Sequence, residues 1–183
     1  RSATRMQSLG EPRTRQQQKD ETRAKIFAAA TMLFAQKGYG ATTVADIVAA
    51  AGVAKGTFFV HFPSKDAVIA ALVRIQTGAA RKARLAALAS KGPVDALRAA
   101  VLTLGARAGV SRTLSRGVLA ATLESQDVGG EASQLFDDLF AEMKEDAKAA
   151  ARAILLAPGV DPETLAASLM ASYLGEVLHF TSS

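Results

Sequence analysis

The stretch TTVADIVAAAGVAKGTFFVHFPSKDAV, residues 42–68, sets two short apolar patterns on either side of a glycine and ends in a basic, aromatic run. Thr43 with Asp46 three positions on fits a capping box, and Val44, Ile47, Val48 and Ala51 make the apolar stripe of a short helix that stops at Gly52. After the tight connection 52–54, a second short helix is expected over 55–62. It buries Phe58 and Phe62 at neighbouring positions of one face and is ended by Pro63.

Upstream, residues 12–37 read as a longer helix, with Ile26, Phe27, Ala30, Leu33 and Phe34 on one face and Gly38 as its stop. A long helix that floors two short ones joined by a glycine turn is the pattern of a helix-turn-helix unit, whose second helix enters a major groove. With Phe58 and Phe62 inward, the outward set is Lys55, Gly56, Thr57, Phe59, Val60 and His61. A cation, a bare backbone position, a hydroxyl and rings suit base edges and phosphates. The hydroxyl of Thr43 and the helix start beside it can hold a phosphate, and Lys65 can hold another. Each residue also has an ordinary reading, with Thr43 as a cap only, Phe59 as a satellite of the core and the lysines solvated.

Composition agrees with helices. The 183 residues are 49% hydrophobic but only 5% aromatic, so the interior is built from Ala, Leu and Val, which suits closely packed helices better than a sheet. There is no cysteine, hence no disulfide framework, thiolate metal site or cysteine nucleophile, and a reducing, cytoplasmic setting is expected. No apolar run has the length and freedom from charge needed to span a bilayer, Arg74 interrupting the best of them, so no membrane partner is expected. The net charge of +5 is unevenly placed: residues 1–68 hold ten Lys or Arg against five Asp or Glu, and residues 69–183 hold twelve of each. A basic first third beside a neutral remainder suggests a polyanion-binding part attached to a part with another task.

Downstream, Ser64 is a candidate cap for a helix bearing Val68, Ile69, Leu72 and Ile75 and running on toward Lys91. Further helices are expected over 95–108 and 114–123, then a loop at SQDVGGE, residues 125–131. Two longer helices finish the chain. One carries apolar residues from Leu135 to Leu155, and the other opens at Asp161 and Pro162 and carries Leu165, Leu169, Tyr173 and Val177. Enzyme readings fail individually. GVAKGT places Lys55 before Gly56 rather than after it and has no strand ahead, so it is not a phosphate loop. His61 and His179 are the only histidines and have no metal-ligand spacing, so neither metal nor cofactor is expected. Asp137, Asp138, Glu142, Glu145 and Asp146 read as a solvated acidic face.

Residues 22–72, and above all KGYGATTV, AAGVAKGTFF, HF and SKDAV, resemble the DNA-binding domain of the TetR family of bacterial transcriptional regulators. The resemblance implies an all-α chain of about nine helices: a basic arm (1–19), a helix-turn-helix domain (20–66) and a helical ligand-binding and dimerisation domain (67–183). It implies a homodimer that represses from a palindromic double-stranded DNA operator and leaves it when a small molecule binds. By position, Thr42 and Thr43 would hold phosphate, and Lys55, Gly56 and Thr57 would face bases or backbone. Phe59 falls where the family usually has a tyrosine, while His61 and Lys65 match its phosphate-contacting histidine and the lysine opening helix four. Phe59 and Val60 depart from that pattern in lacking hydroxyls, and Val48 is larger than the residue usual at the helix crossing. An apolar effector pocket is expected from Leu104, Leu119, Phe136, Phe140, Met143 and Tyr173, with Arg107 as a partner for an anion. The competing reading is a helical ligand-binding or interaction protein that has lost specific DNA binding.

Overall fold

The computed structural model describes residues 14–110 and 130–182, with backbone alone for 107–110 and 176–182. The described residues form seven helices and no strand: α1 (Arg15–Lys37), α2 (Val44–Ala51), α3 (Lys55–His61), α4 (Lys65–Lys91), α5 (Pro93–Val110), α6 (Glu131–Arg152) and α7 (Pro162–Ser182). The all-α class stands, with seven helices among these residues where about nine were expected; the helix expected over 114–123 lies outside the described residues.

Local chemistry sets the boundaries. Thr14 and Gln17 form a capping box, the Thr14 hydroxyl accepting from the Gln17 amide at 3.1 Å and the Gln17 side chain accepting from the Thr14 amide at 2.8 Å. Helix α1 therefore begins within the 12–37 expected to be helical and takes in the end of the basic segment 1–19, because two reciprocal bonds satisfy amides that a helix start otherwise leaves unpaired. The capping box of α2 forms as expected, the Thr43 amide donating to Asp46 Oδ2 at 2.8 Å and the Asp46 amide to Thr43 Oγ1 at 3.2 Å. Gly52 ends α2 at φ +66°, donating to the Ala49 carbonyl, while the Val53 amide returns to the Val48 carbonyl at 3.1 Å. This left-handed turn suits a glycine and swings α3 across α2.

One core joins the first four helices. Ile26, Ala30 and Phe34 of α1, Ile47 of α2, Phe58 of α3, Phe62, and Val68, Ile69, Leu72 and Val73 of α4 are all buried together. Each fully buried phenylalanine contributes about 2–3 kcal/mol by area, so Phe34, Phe58 and Phe62 dominate this small unit. A second core gathers Ala80, Leu97, Ala100, Leu104, Leu139, Met143, Ala147, Ala166 and Tyr173 from α4 to α7. Helix α4 supplies residues to both cores, and Phe136 of α6 packs against both.

Two sequence expectations change here. The acidic face of α6 is only partly solvated: Asp137, Asp138 and Glu145 are exposed, but Asp146 is buried and Glu142 half-buried. Arg84 of α4 reaches Asp146 Oδ2 and Glu142 Oε2, each at 2.7 Å, and Arg81 reaches Glu142 Oε1 at 2.7 Å. The second change is at the end of α6, which stops at Arg152 rather than carrying Ile154 and Leu155 on its apolar face. Ile154 adopts φ +57° and Leu155 donates back to the Ala150 carbonyl at 2.9 Å, leaving the two residues 88% and 55% exposed. As expected, Asp161 caps α7 by accepting from the Thr164 amide at 2.7 Å.

Candidate nucleic-acid interface

Helix α3 divides its side chains as its periodicity requires. Phe58 is fully buried, whereas Lys55, Gly56, Phe59 and Val60 are exposed, and Thr57 and His61 are half-buried. Phe59 is 46% exposed and Val60 72% exposed, Phe59 meeting the Phe58 ring edge-on at 5.3 Å. The outer face therefore combines one cation with an apolar surface that the other described residues leave uncovered. A Cβ added at Gly56 would meet nothing within 4 Å, so packing among the described residues does not require a glycine there.

The residues flanking α3 differ in how far they can reach outward. Thr43 is exposed at the start of α2, and its hydroxyl also donates to Asp46 Oδ2 at 2.7 Å. The Asp46 carboxylate is held well below the usual range, first by Lys37 at 2.6 Å and then by the Thr43 hydroxyl and amide. Thr42 is turned inward: it is 1% exposed and its hydroxyl donates to the Gly38 carbonyl at 2.7 Å. The ammonium of Lys65 also points into the protein, 3.0 Å from the Tyr39 carbonyl oxygen and 3.3 Å from that of Thr42. Both side chains thus serve the turn between α1 and α2, an arrangement that a sequence position cannot reveal.

His61 sits at the end of α3 with Nδ1 buried and without a hydrogen-bond partner among the described residues. Loss of solvent, then the nearby charges of Lys19 and Arg23, lower its pKa, with Asp20 opposing them. Arg23 donates to the His61 carbonyl at 2.7 Å and lies over the Phe62 ring at 4.2 Å, tying α1 to the end of α3. Sequence reasoning missed Arg23, Tyr39 and Asp66. Arg23 is one of several charged residues early in α1, and its partner, the His61 carbonyl, is 38 residues away.

The residues expected around an effector are brought together where they are described. Leu104, Met143 and Tyr173 are buried in the second core, with Phe136 and Phe140 packed against it. The rings of Phe136 and Tyr173 are 6.4 Å apart, and burial pushes the Tyr173 hydroxyl pKa up. The Arg107 side chain and Leu119 lie outside the described residues. A separate open cavity of about 380 Å³ lies between α1 and α4, lined by Asp20, Arg23, Ala24, Phe27, Ala71, Arg74 and Ile75.

This arrangement defines a helix-turn-helix unit joined by one long helix to a second helical core. Residues 26–72 match the model for bacterial regulatory proteins of the tetR family. The match places residues 26–72, from α1 to α4, in the N-terminal domain of that family. The chain is 40% identical over 50 residues to the uncharacterized HTH-type transcriptional regulator YerO of Bacillus subtilis (strain 168), covering 27% of this chain and 17% of YerO. The chain thus matches far less than two thirds of that relative's length. Among solved structures it resembles the TetR family protein CprB from S. coelicolor A3(2), with a TM-score of 0.68, 28% identity and coverage of 85% of this chain and 78% of CprB. It also resembles a gamma-butyrolactone receptor (ArpA-like protein), with a TM-score of 0.64, 26% identity and coverage of 86% and 81%. No single described helix is long and apolar enough to cross a membrane.

Proposed function

We propose that the chain is a transcriptional regulator that reads a palindromic operator as a homodimer through α3 and is released by a small molecule bound in the second core. The observation that carries this reading is the outer face of α3. Lys55, Gly56, Phe59 and Val60 are exposed together on the second helix of the helix-turn-helix, and no packing among the described residues explains the glycine or the uncovered ring. Gly56 lets a sugar-phosphate backbone approach closely, Lys55 and Thr57 offer donors, and Phe59 and Val60 offer apolar surface to thymine methyls. Thr43 and His61 flank this face as phosphate contacts. The reading unit takes residues 20–66 together with the first turn of α1, and residues 67–183 form the ligand-binding and dimerisation part.

A dimer places two α3 helices about 34 Å apart, one duplex turn, so a ligand that alters the tilt of α4 alters that spacing. The ligand acts only through its different affinity for the two states. Its site is the largely apolar neighbourhood of Leu104, Phe136, Phe140, Met143 and Tyr173, and the likeness to a gamma-butyrolactone receptor supports a small, mostly apolar effector. Gel shift with DNA from upstream of the chain's own gene, run at two salt concentrations, tests the reading. A specific complex that weakens with salt is expected, and absence of any specific complex at low salt overturns it. Sedimentation giving a monomer at micromolar concentration overturns the dimer.

A further inference from the structure

Lys65 opens α4, where a cation faces the positive end of the helix dipole and is disfavoured. Its surroundings show what offsets that. The ammonium is 3.0 Å from the Tyr39 carbonyl oxygen, 3.3 Å from the Thr42 carbonyl oxygen and 4.1 Å from the centre of the Tyr39 ring. The next residue, Asp66, accepts a hydrogen bond from the Tyr39 hydroxyl. Two successive residues of α4 therefore hold Tyr39 at both ends. The turn they grip is closed on itself, since the Thr42 amide donates to the Tyr39 carbonyl at 3.2 Å and the Thr42 hydroxyl to the Gly38 carbonyl at 2.7 Å. Thr43, the cap of α2, follows immediately.

The helix-turn-helix is consequently attached to α4 at two places. Its exit is covalent, through the short link 62–64, and its entry is the Lys65–Tyr39–Asp66 clamp. We propose that Lys65 is a positioning residue that acts inside the protein, fixing the start of α2 to the first turn of α4 and passing displacement of α4 into the reading unit, rather than contacting DNA phosphate. This deepens the DNA-binding reading and rests on it. Tyr39 is only 5% exposed, so its hydroxyl is not available to DNA and serves as an independent probe of the clamp.

The test uses full-length protein carrying Lys65→Met, Tyr39→Phe or both, with affinity for the operator expressed per folded protein across a salt series. Each single variant is expected to weaken binding by about tenfold, the cost of losing charge-assisted or buried hydrogen bonds at one turn. The slope of log affinity against log salt stays unchanged, and the double variant binds no worse than Lys65→Met alone. A slope reduced by about one in Lys65→Met marks a lost phosphate contact and overturns the proposal, as does full affinity in Tyr39→Phe. Hydrogen exchange of the Asp46 and Ile47 amides in the free protein decides the clamp without DNA. Faster exchange in both variants supports it, and wild-type rates overturn it. If wild-type protein binds no DNA, the proposed function fails while the exchange result still reads the clamp.

Discussion

Arg84 of α4 and Asp146 of α6 form an ion pair at 2.7 Å with both side chains buried, 8% and 7% exposed. Glu142 shares the same guanidinium at 2.7 Å and also pairs with Arg81. Breaking a buried pair strands a charge, whereas replacing both partners by apolar groups removes that penalty. Asp146→Ala is therefore expected to cost about 3 kcal/mol, and Arg84→Met with Asp146→Leu to regain most of it. Urea denaturation of the three proteins checks this; equal loss in the single and double variants would show that the charges themselves hold α4 to α6.

Phe136 packs against the reading core and the second core at once, and its ring lies 6.4 Å from that of Tyr173. Removing it opens space on both sides while leaving each core's fully buried residues in place. Phe136→Ala is expected to cost about 2 kcal/mol, less than a fully buried phenylalanine because the ring is half-buried. Because the ring is shared, the loss should also uncouple the two cores, giving two calorimetric transitions where the wild type gives one. A lower but still single transition would show that α4 alone carries the coupling.

The parts of this structure that were legible in the sequence are those set by neighbours within a few residues. The Thr43–Asp46 box, the turn at Gly52, the inward Phe58 and Phe62 and the Asp161 cap all follow from spacing and local hydrogen bonds. What the sequence does not show involves partners far along the chain. Asp146 looked solvated because Arg84, which neutralises it, lies 62 residues earlier. Lys65 shows in the sequence only as a cation at a helix start, because the carbonyls that receive it lie 23 and 26 residues earlier. Ile154 looked like a continuation of an apolar stripe, since nothing in its residue type announces a left-handed turn.

Lys55 stands at the start of α3, exposed and outside every described ion pair, and is the one cation on the outer face of that helix. A side chain so placed is available to a base edge, where a good contact is worth about 1–3 kcal/mol of discrimination. Lys55→Ala is expected to reduce the preference for the operator over altered sites by about tenfold or more, with only a modest change in binding to random DNA. Competition binding against a set of single-base operator variants measures it. An unchanged preference would move the reading contact away from the first turn of α3.

His61 carries the pH prediction. Its folded pKa lies below the ordinary 6.5 because burial of the ring, then Lys19 and Arg23, disfavour the imidazolium, with Asp20 acting in the opposite sense. The unfolded chain titrates near 6.5, so as pH falls through that value the unfolded state takes up a proton that the folded state resists, and stability falls with it. The contribution is fully present above pH about 6.5 and is lost on acidification toward the folded pKa. A DNA phosphate near the ring adds a negative charge that favours the imidazolium, so operator binding should raise the His61 pKa. Proton NMR titration resolves this, because the chain has only two histidines and a His61→Gln spectrum assigns the signal. A free midpoint below 6.5 that moves up with operator is expected, and a midpoint unmoved by DNA would remove His61 from the phosphate contacts.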